Sequence, residues 1–304
     1  VRLLYLGTPA DAVPPLRALH DAGHEIAMVV TQPDRRRGRG ADLMASPVKA
    51  AALELGLHVV TPEKSREIVD EVVERNCELG VVAAFGQLLP PALLAAVPHG
   101  FVNVHFSLLP RWRGAAPVER AMLAGDPETG VCIMRLEEGL DTGPVYARTE
   151  TPIAPGETAG ELHHRLVALG TELLLETLPL VPRVTPFPQE GAATYAGKLE
   201  VEEFHLDWTR PASELELIVR AGNPRPGAFT SDRGKRLKIW SARAHRVPGG
   251  ASPGTVMVAA HASPQVSTGR GVLELLEVQP EGKARMSADS WLAGRQKAPE
   301  PLGS

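Results

Sequence analysis

Through the first part of the chain, short apolar runs alternate with segments whose apolar residues recur at helical spacing, the order expected of a parallel α/β sheet. Leu3 to Leu6, Ile26 to Thr31, Leu79 to Ala84 and Phe101 to His105 read as short buried strands, with Val131 to Leu136 as a later one. Between them, Ala12 to Ala22, Pro47 to Leu55 and Ile68 to Asn76 carry the helical period. So do Val118 to Ala124 and a longer stretch from about Ala159 to Leu178, which stops at Pro179. Gly23, Gly56 and Gly125 sit where helices end and a left-handed cap favours a residue without a Cβ. The expectation is a doubly wound sheet.

The pattern changes after Pro179. Pro179, Pro182, Pro186 and Pro188 fall within ten residues, which suits an extended linker. Beyond it, Ala212 to Arg220 predicts a helix. Short alternating runs at Lys235 to Trp240, Gly254 to Val258 and Val272 to Val278 are separated by Gly, Pro and Ser turns, the spacing of a small β-barrel. The predicted organisation is a first domain at 1–182, a linker at 183–198 and a smaller second domain at 199–304.

Composition narrows the function classes. Hydrophobic residues are 43% and charged residues 22% of the 304, ordinary globular usage. The longest apolar runs, such as Val81 to Phe85, are far below the roughly 20 residues of a membrane span. The run from Val1 to Leu6 enters a strand at once, with no secretory pattern, so a cytoplasmic location is expected. Cys77 and Cys132 have no companion ligands at metal spacing and read as core residues. Net charge is −4, yet Arg220 to Lys297 holds 13 Lys and Arg against 5 Asp and Glu. A basic stretch of that kind suits a solvated face or contact with nucleic acid.

Leu6-Gly7-Thr8-Pro9 occupies the first strand-to-helix turn without the second and third glycines of a dinucleotide fingerprint, which argues against NAD. The candidate chemistry lies further on. Asn103 and His105 are two apart on a predicted strand and so share a face near its carboxyl end, where α/β sheets bind ligands. An amide and an imidazole suit acyl transfer, one stabilising an oxyanion and the other handling a proton. Asp141, in the turn Leu140-Asp141-Thr142-Gly143, offers a carboxylate to orient the imidazole. The spacing alone equally suits a packed structural histidine, a turn aspartate and an asparagine satisfying loop backbone.

The run from Asn103 to Pro117 (NVHFSLLPRWRGAAP), followed by Gly139-Leu140-Asp141-Thr142-Gly143, resembles the formyltransferases that use 10-formyltetrahydrofolate. Thr31-Gln32-Pro33-Asp34-Arg35, Gly38-Arg39-Gly40 and Ser46-Pro47-Val48-Lys49 are similar to the insertion found in the methionyl-tRNA formyltransferases. Thr194-Tyr195-Ala196, Lys198-Leu199, Asp207-Trp208, Asn223-Pro224 and Gly282-Lys283 agree. The resemblance implies a Rossmann-like catalytic domain followed by an OB-like barrel, with Asn103, His105 and Asp141 at the catalytic positions. It also implies a folate pocket formed by Phe85, Gly86, Gln87, Leu88, Leu89 and Pro90 with Ser107, Leu108, Leu109 and Pro110. Phe106 and Phe85 depart from the family pattern, where a small residue and a tyrosine are common.

The implied reaction moves the formyl group of 10-formyltetrahydrofolate, a co-substrate, onto the α-amino group of methionyl initiator tRNA, with no metal and no NAD. Arg35, Arg36, Arg37 and Arg39 lie in a Gly-flanked loop. Such a loop is often simply solvated, but the resemblance implies that it contacts tRNA, as does Lys198. A monomer without membrane contact is expected. The competing readings are a formyltransferase for a small amine, a hydrolase releasing formate, and a tRNA-binding scaffold on an inactive frame.

Overall fold

A computed structural model of the chain describes residues 1–37, 42–247, 251–258, 263–294 and 300–303. The chain divides into two compact units. One comprises Val1–Pro117, Thr129–Thr151 and His163–Ala196, the other Val118–Glu128, Pro152–Leu162 and Gly197–Ser304.

The first unit is built on seven strands: β1 (Arg2–Gly7), β2 (Glu25–Val30), β3 (Val59–Val60), β4 (Leu79–Ala83), β5 (Phe101–His105), β6 (Glu128–Arg135) and β7 (Val145–Pro152). Their order is β7-β6-β5-β4-β1-β2-β3. Neighbours from β3 to β5 run parallel, whereas β6 is antiparallel to β5. Strands covered on both faces read as continuous apolar runs, and β4 is buried throughout. Helices α1 (Val13–Asp21), α2 (Pro47–Glu54), α3 (Val69–Glu74), α4 (Pro91–Ala95) and most of α6 (Ala159–Thr177) accompany the strands, whereas α5 (Pro117–Leu123), from Val118 on, and the start of α6 belong to the second unit. The start of α2 is written locally: the Ser46 side chain accepts from the Lys49 N–H at 3.0 Å and Pro47 takes the first turn. Gly23, Gly56 and Gly125 have φ of 80°, 70° and 71°, the left-handed caps expected. A side chain at Gly7 would lie 2.7 Å from the Ala12 Cβ and 3.0 Å from the Ala83 carbonyl. That glycine therefore serves close packing between strand and helix.

Residues 183–196, read from sequence as linker, are largely irregular but belong to the first unit. Phe187 exchanges backbone hydrogen bonds with Val145 at 2.9 and 3.0 Å, and Tyr195–Ala196 pairs in parallel with Arg113–Gly114. Proline density here means a backbone with few donors to give a sheet, not a freely swinging one.

The second unit carries α7 (Ala212–Ala221), α8 (Ala288–Ala293) and six strands. These are β8 (Ala228–Asp232), β9 (Lys235–His245), β10 (Val256–Met257), β11 (Gln265–Ser267), β12 (Val272–Pro280) and β13 (Met286–Ser287). They form an antiparallel sheet ordered β8-β9-β12-β11-β10, with β13 beside β12. Among the described residues no ladder joins β8 to β10, so the predicted barrel is seen here as a sheet with two edges. The C-terminal residues reach both: Leu302 N–H donates to the Gly254 carbonyl and Gly303 N–H to the Ser231 carbonyl, each at 2.8 Å. Leu302 is only 4% exposed. Leu302→Ala should destabilise this unit by about 2–4 kcal/mol through the cavity it leaves, read as a lower thermal midpoint in calorimetry.

Candidate functional site

The site grows from the carboxyl end of β5. Asn103 pairs with Val82 on β4 and Met134 on β6, and His105 stands opposite Cys132 on β6. On the other face of β5, Val104 lies against Gly170 of α6, where an added Cβ would be 2.9 Å from the valine methyl. Alternation therefore turns both Asn103 and His105 away from α6. Phe106 is buried, its edge against Gly170 and its ring centroid 5.1 Å from that of His163. The missing side chain at Gly170 makes room for this departure from the family pattern.

His105 is 5% exposed. Its Nε2 lies 2.9 Å from the Trp112 carbonyl, and its Nδ1 lies 3.8 Å from Asp141 Oδ2. A carbonyl only accepts, so Nε2 carries the hydrogen in that bond. Asp141 Oδ2 in turn accepts from the Gly114 N–H at 2.8 Å. The predicted imidazole and carboxylate are thus brought together, and the Asn103 amide makes no hydrogen bond to other described residues.

This arrangement depends on an unusual backbone. Trp112 and Asp141 have φ of 66° and 50°, and Gly114 has φ of 121°. Asp tolerates the left-handed region, whereas a bulky Trp there is held at a cost of order 1–3 kcal/mol. What holds it is a set of polar contacts. The Trp112 N–H donates to Thr194 Oγ1 at 2.9 Å, and its carbonyl also receives the Ser107 hydroxyl at 3.4 Å. A Cβ on Gly114 would stand 2.7 Å from the Ala196 carbonyl, so the Tyr195–Ala196 ribbon demands glycine where the carboxylate needs an N–H.

The two loops read as a folate pocket emerge from adjacent strands, β4 and β5. Thr8 Oγ1 and Gln32 Nε2 both donate to the Phe85 carbonyl, at 3.2 and 2.9 Å. Ser65 holds Gln87 through its N–H at 2.8 Å and the Leu88 carbonyl through its hydroxyl at 2.7 Å. Leu88 itself is 81% exposed, while Phe85 and Leu109 are buried. Gly86, Gln87, Leu89, Leu108 and Pro110 keep part of their surface open. Ser107 is fully buried, its hydroxyl donating to the Arg111 carbonyl at 2.7 Å, so it shapes the turn from inside.

Of the predicted tRNA contacts, Arg35 is exposed and donates to Gln32 Oε1 at 2.6 Å. Arg36 and Arg37 continue a short strand paired with Asp42–Met44, and Arg39 lies outside the described residues. In the second unit, Lys198 is exposed and its carbonyl accepts from Arg120 at 3.0 Å. The basic stretch there interleaves with aromatic rings. Arg236 lies 4.2 Å from the Phe229 centroid and Arg285 3.7 Å from that of Trp240. A cavity of about 610 Å³ opens elsewhere in the first unit, beside His99, Gly100, Arg135 and Arg183, at the opposite end of β5 from His105.

Residues 1–178 match the family signature described as formyl transferase, and residues 198–296 match its C-terminal domain. The chain belongs to the formyl transferase family. Relatives of this formyl transferase include a methionyl-tRNA formyltransferase of Symbiobacterium thermophilum, 50% identical across 97% of this chain and 92% of the relative. Another, from Thermus thermophilus, is 47% identical across 98% of each. Among solved structures, the sugar 3N-formyl transferase WlaRD has a TM-score of 0.68 at 17% identity, covering 93% of this chain and 99% of that one. HypX from Aquifex aeolicus, solved with tetrahydrofolic acid, has a TM-score of 0.67 at 17% identity over 99% of this chain and 48% of HypX. This chain spans about half of HypX.

Sequence reasoning missed the contributions of Trp112, Gly114 and Thr194, although all three stand in runs that carried the family resemblance. Their roles are those of backbone atoms and a turn hydroxyl, for which residue type gives little signal. Behind His105, burial pushes the Cys132 thiol up to about 11. The formyl transferase should therefore resist a maleimide at Cys132 at pH 8 while folded and react after unfolding, a difference read by mass spectrometry.

Proposed function

We propose that this formyl transferase moves the formyl group of 10-formyltetrahydrofolate to the α-amino group of methionyl initiator tRNA. What carries the reading is the near full-length identity, through both units, to proteins named methionyl-tRNA formyltransferase. The His105–Asp141 pair, with Asn103 on the same face of β5, supports it. The first unit, which takes in residues 183–196, performs the chemistry, and the second, which takes in 197–304 and is OB-like, holds tRNA. The enzyme is a cytoplasmic monomer without membrane contact. Among the described residues, no helix is long and apolar enough to cross a membrane.

In this mechanism, the amine attacks the formyl carbon directly. Its pKa falls below the roughly 7.7–8.0 of a free α-amino group because the ester withdraws electrons, so much of it is already free base near neutrality. The tetrahedral oxyanion is stabilised by the Asn103 amide and by His105, whose hydrogen on Nε2 exchanges the Trp112 carbonyl for a more strongly charged acceptor. Asp141 holds the ring in place. The C–N bond to the folate nitrogen then breaks, and a proton lost by the amine reaches that nitrogen through His105 or water. The loops at 85–90 and 107–110 seat the folate. Arg35, Arg36, Arg37, Arg39 and Lys198 hold tRNA phosphates and unpaired bases.

The decisive assay compares formyl transfer to charged initiator tRNA, charged elongator tRNA and free methionine. Preference for the first is expected, and equal use of free methionine would refute the reading. Asn103→Ala should lower kcat by about 10²–10³ with little change in melting temperature; near-normal turnover would remove Asn103 from the site. Arg35→Ala should raise the KM for charged tRNA, and flatten its salt dependence, while leaving the KM for folate unchanged.

A further inference from the structure

The proline-rich segment after Leu180 carries one side chain whose bonding is complete. Gln189 is half-buried. Its Nε2 donates to the Asp141 and Gly143 carbonyls, each at 2.8 Å. Its Oε1 accepts from Arg113 Nε at 3.0 Å and from a terminal guanidinium nitrogen at 2.7 Å. Two donors and two lone pairs are all that an amide has, so this group is satisfied in one orientation only. Turned over, it would press its oxygen on two carbonyls and its NH2 on a cation.

The four bonds bracket the catalytic turn. Asp141 sits in the left-handed region at φ 50°, and Gly143 is wedged so closely that a Cβ would lie 2.0 Å from the Arg135 carbonyl. Gln189 ties both carbonyls of this turn to Arg113. The next residue, Gly114, gives its N–H to the Asp141 carboxylate. Backbone and side chain of Asp141 are therefore referred to one two-residue ribbon, Arg113–Gly114.

We propose that Gln189 is a positioning residue for formyl transfer, setting the Asp141 carboxylate against His105 through the Asp141 and Gly143 carbonyls. This rests on the catalytic reading of Asp141 and His105 given above. Nothing in the geometry brings Gln189 itself to the reacting atoms. Its loss should lower kcat and leave the KM for folate and tRNA unchanged. Displacing a catalytic group by about 1 Å costs on the order of 10²-fold in rate.

Gln189→Glu separates the two halves of the clamp, since a carboxylate still accepts from Arg113 but repels both carbonyls. Gln189→Met keeps the length and removes every polar contact. Each is compared with Asp141→Ala and with the double variants, using the full-length enzyme, charged initiator tRNA and 10-formyltetrahydrofolate. The expected result is a kcat lowered about tenfold to a hundredfold in both single variants, with melting temperatures close to the parent. Neither substitution should lower kcat further once Asp141 is already alanine. A kcat unchanged by Gln189→Glu and Gln189→Met, where Asp141→Ala is strongly impaired, overturns the proposal and leaves the site reading intact. An equal loss in the Asp141→Ala background likewise overturns it, since the effect would not pass through Asp141. Full turnover by Asp141→Ala removes the site reading and this inference together.

Discussion

A single backbone N–H, that of Gly114, carries much of the organisation of the site. It fixes the Asp141 carboxylate at 2.8 Å, and that carboxylate is the only anionic group paired with His105 among the described residues. The N–H points inward because Gly114 adopts φ 121°, and the Ala196 carbonyl leaves no space for a side chain there. Two segments more than seventy residues apart meet in that ribbon, so the carboxylate's place is a tertiary property.

Rigidity at this point has a physical rationale. Transition-state stabilisation by hydrogen bonds is effective when donors are already oriented and need not reorganise during the reaction. The histidine, the aspartate and the unusual Trp112 backbone are each held by more than one contact. Thr194, Gln189 and Arg113 support these groups as a scaffold supports a loop. The loop at 85–90 is restrained in the same manner by Thr8, Gln32 and Ser65. Exposed Leu88 and Arg35 stand out from that restrained base, where contact with a partner costs little rearrangement.

Hydrophobic periodicity and glycine placement were enough to read five of the first sheet's seven strands and most helices from sequence, but not the short β3 or the edge strand β7, whose exposed positions break the apolar run. A strand buried on both faces must be apolar throughout, and a left-handed cap favours glycine. The pairing of Asn103 with His105 followed from the two-residue alternation of a strand. The second unit was less legible, because closure of a sheet depends on which edges meet and not on the pattern within each strand. Its two edges are bridged by Leu302 and Gly303, whose short C-terminal segment carries no periodic signal.

By itself, then, the sequence determined the elements, their α/β order, the chemical types available at the end of β5 and the family to which they belong. All of these depend on residues near one another in the chain. Only the tertiary structure decided that Asp141 reaches His105, that Gly114 supplies an N–H to that carboxylate, and that the proline-rich segment belongs to the first unit and brings Gln189 to the Asp141 turn. Those outcomes rest on backbone direction and long-range hydrogen bonds. Many side-chain identities are compatible with such bonds, and none of them announces its partner.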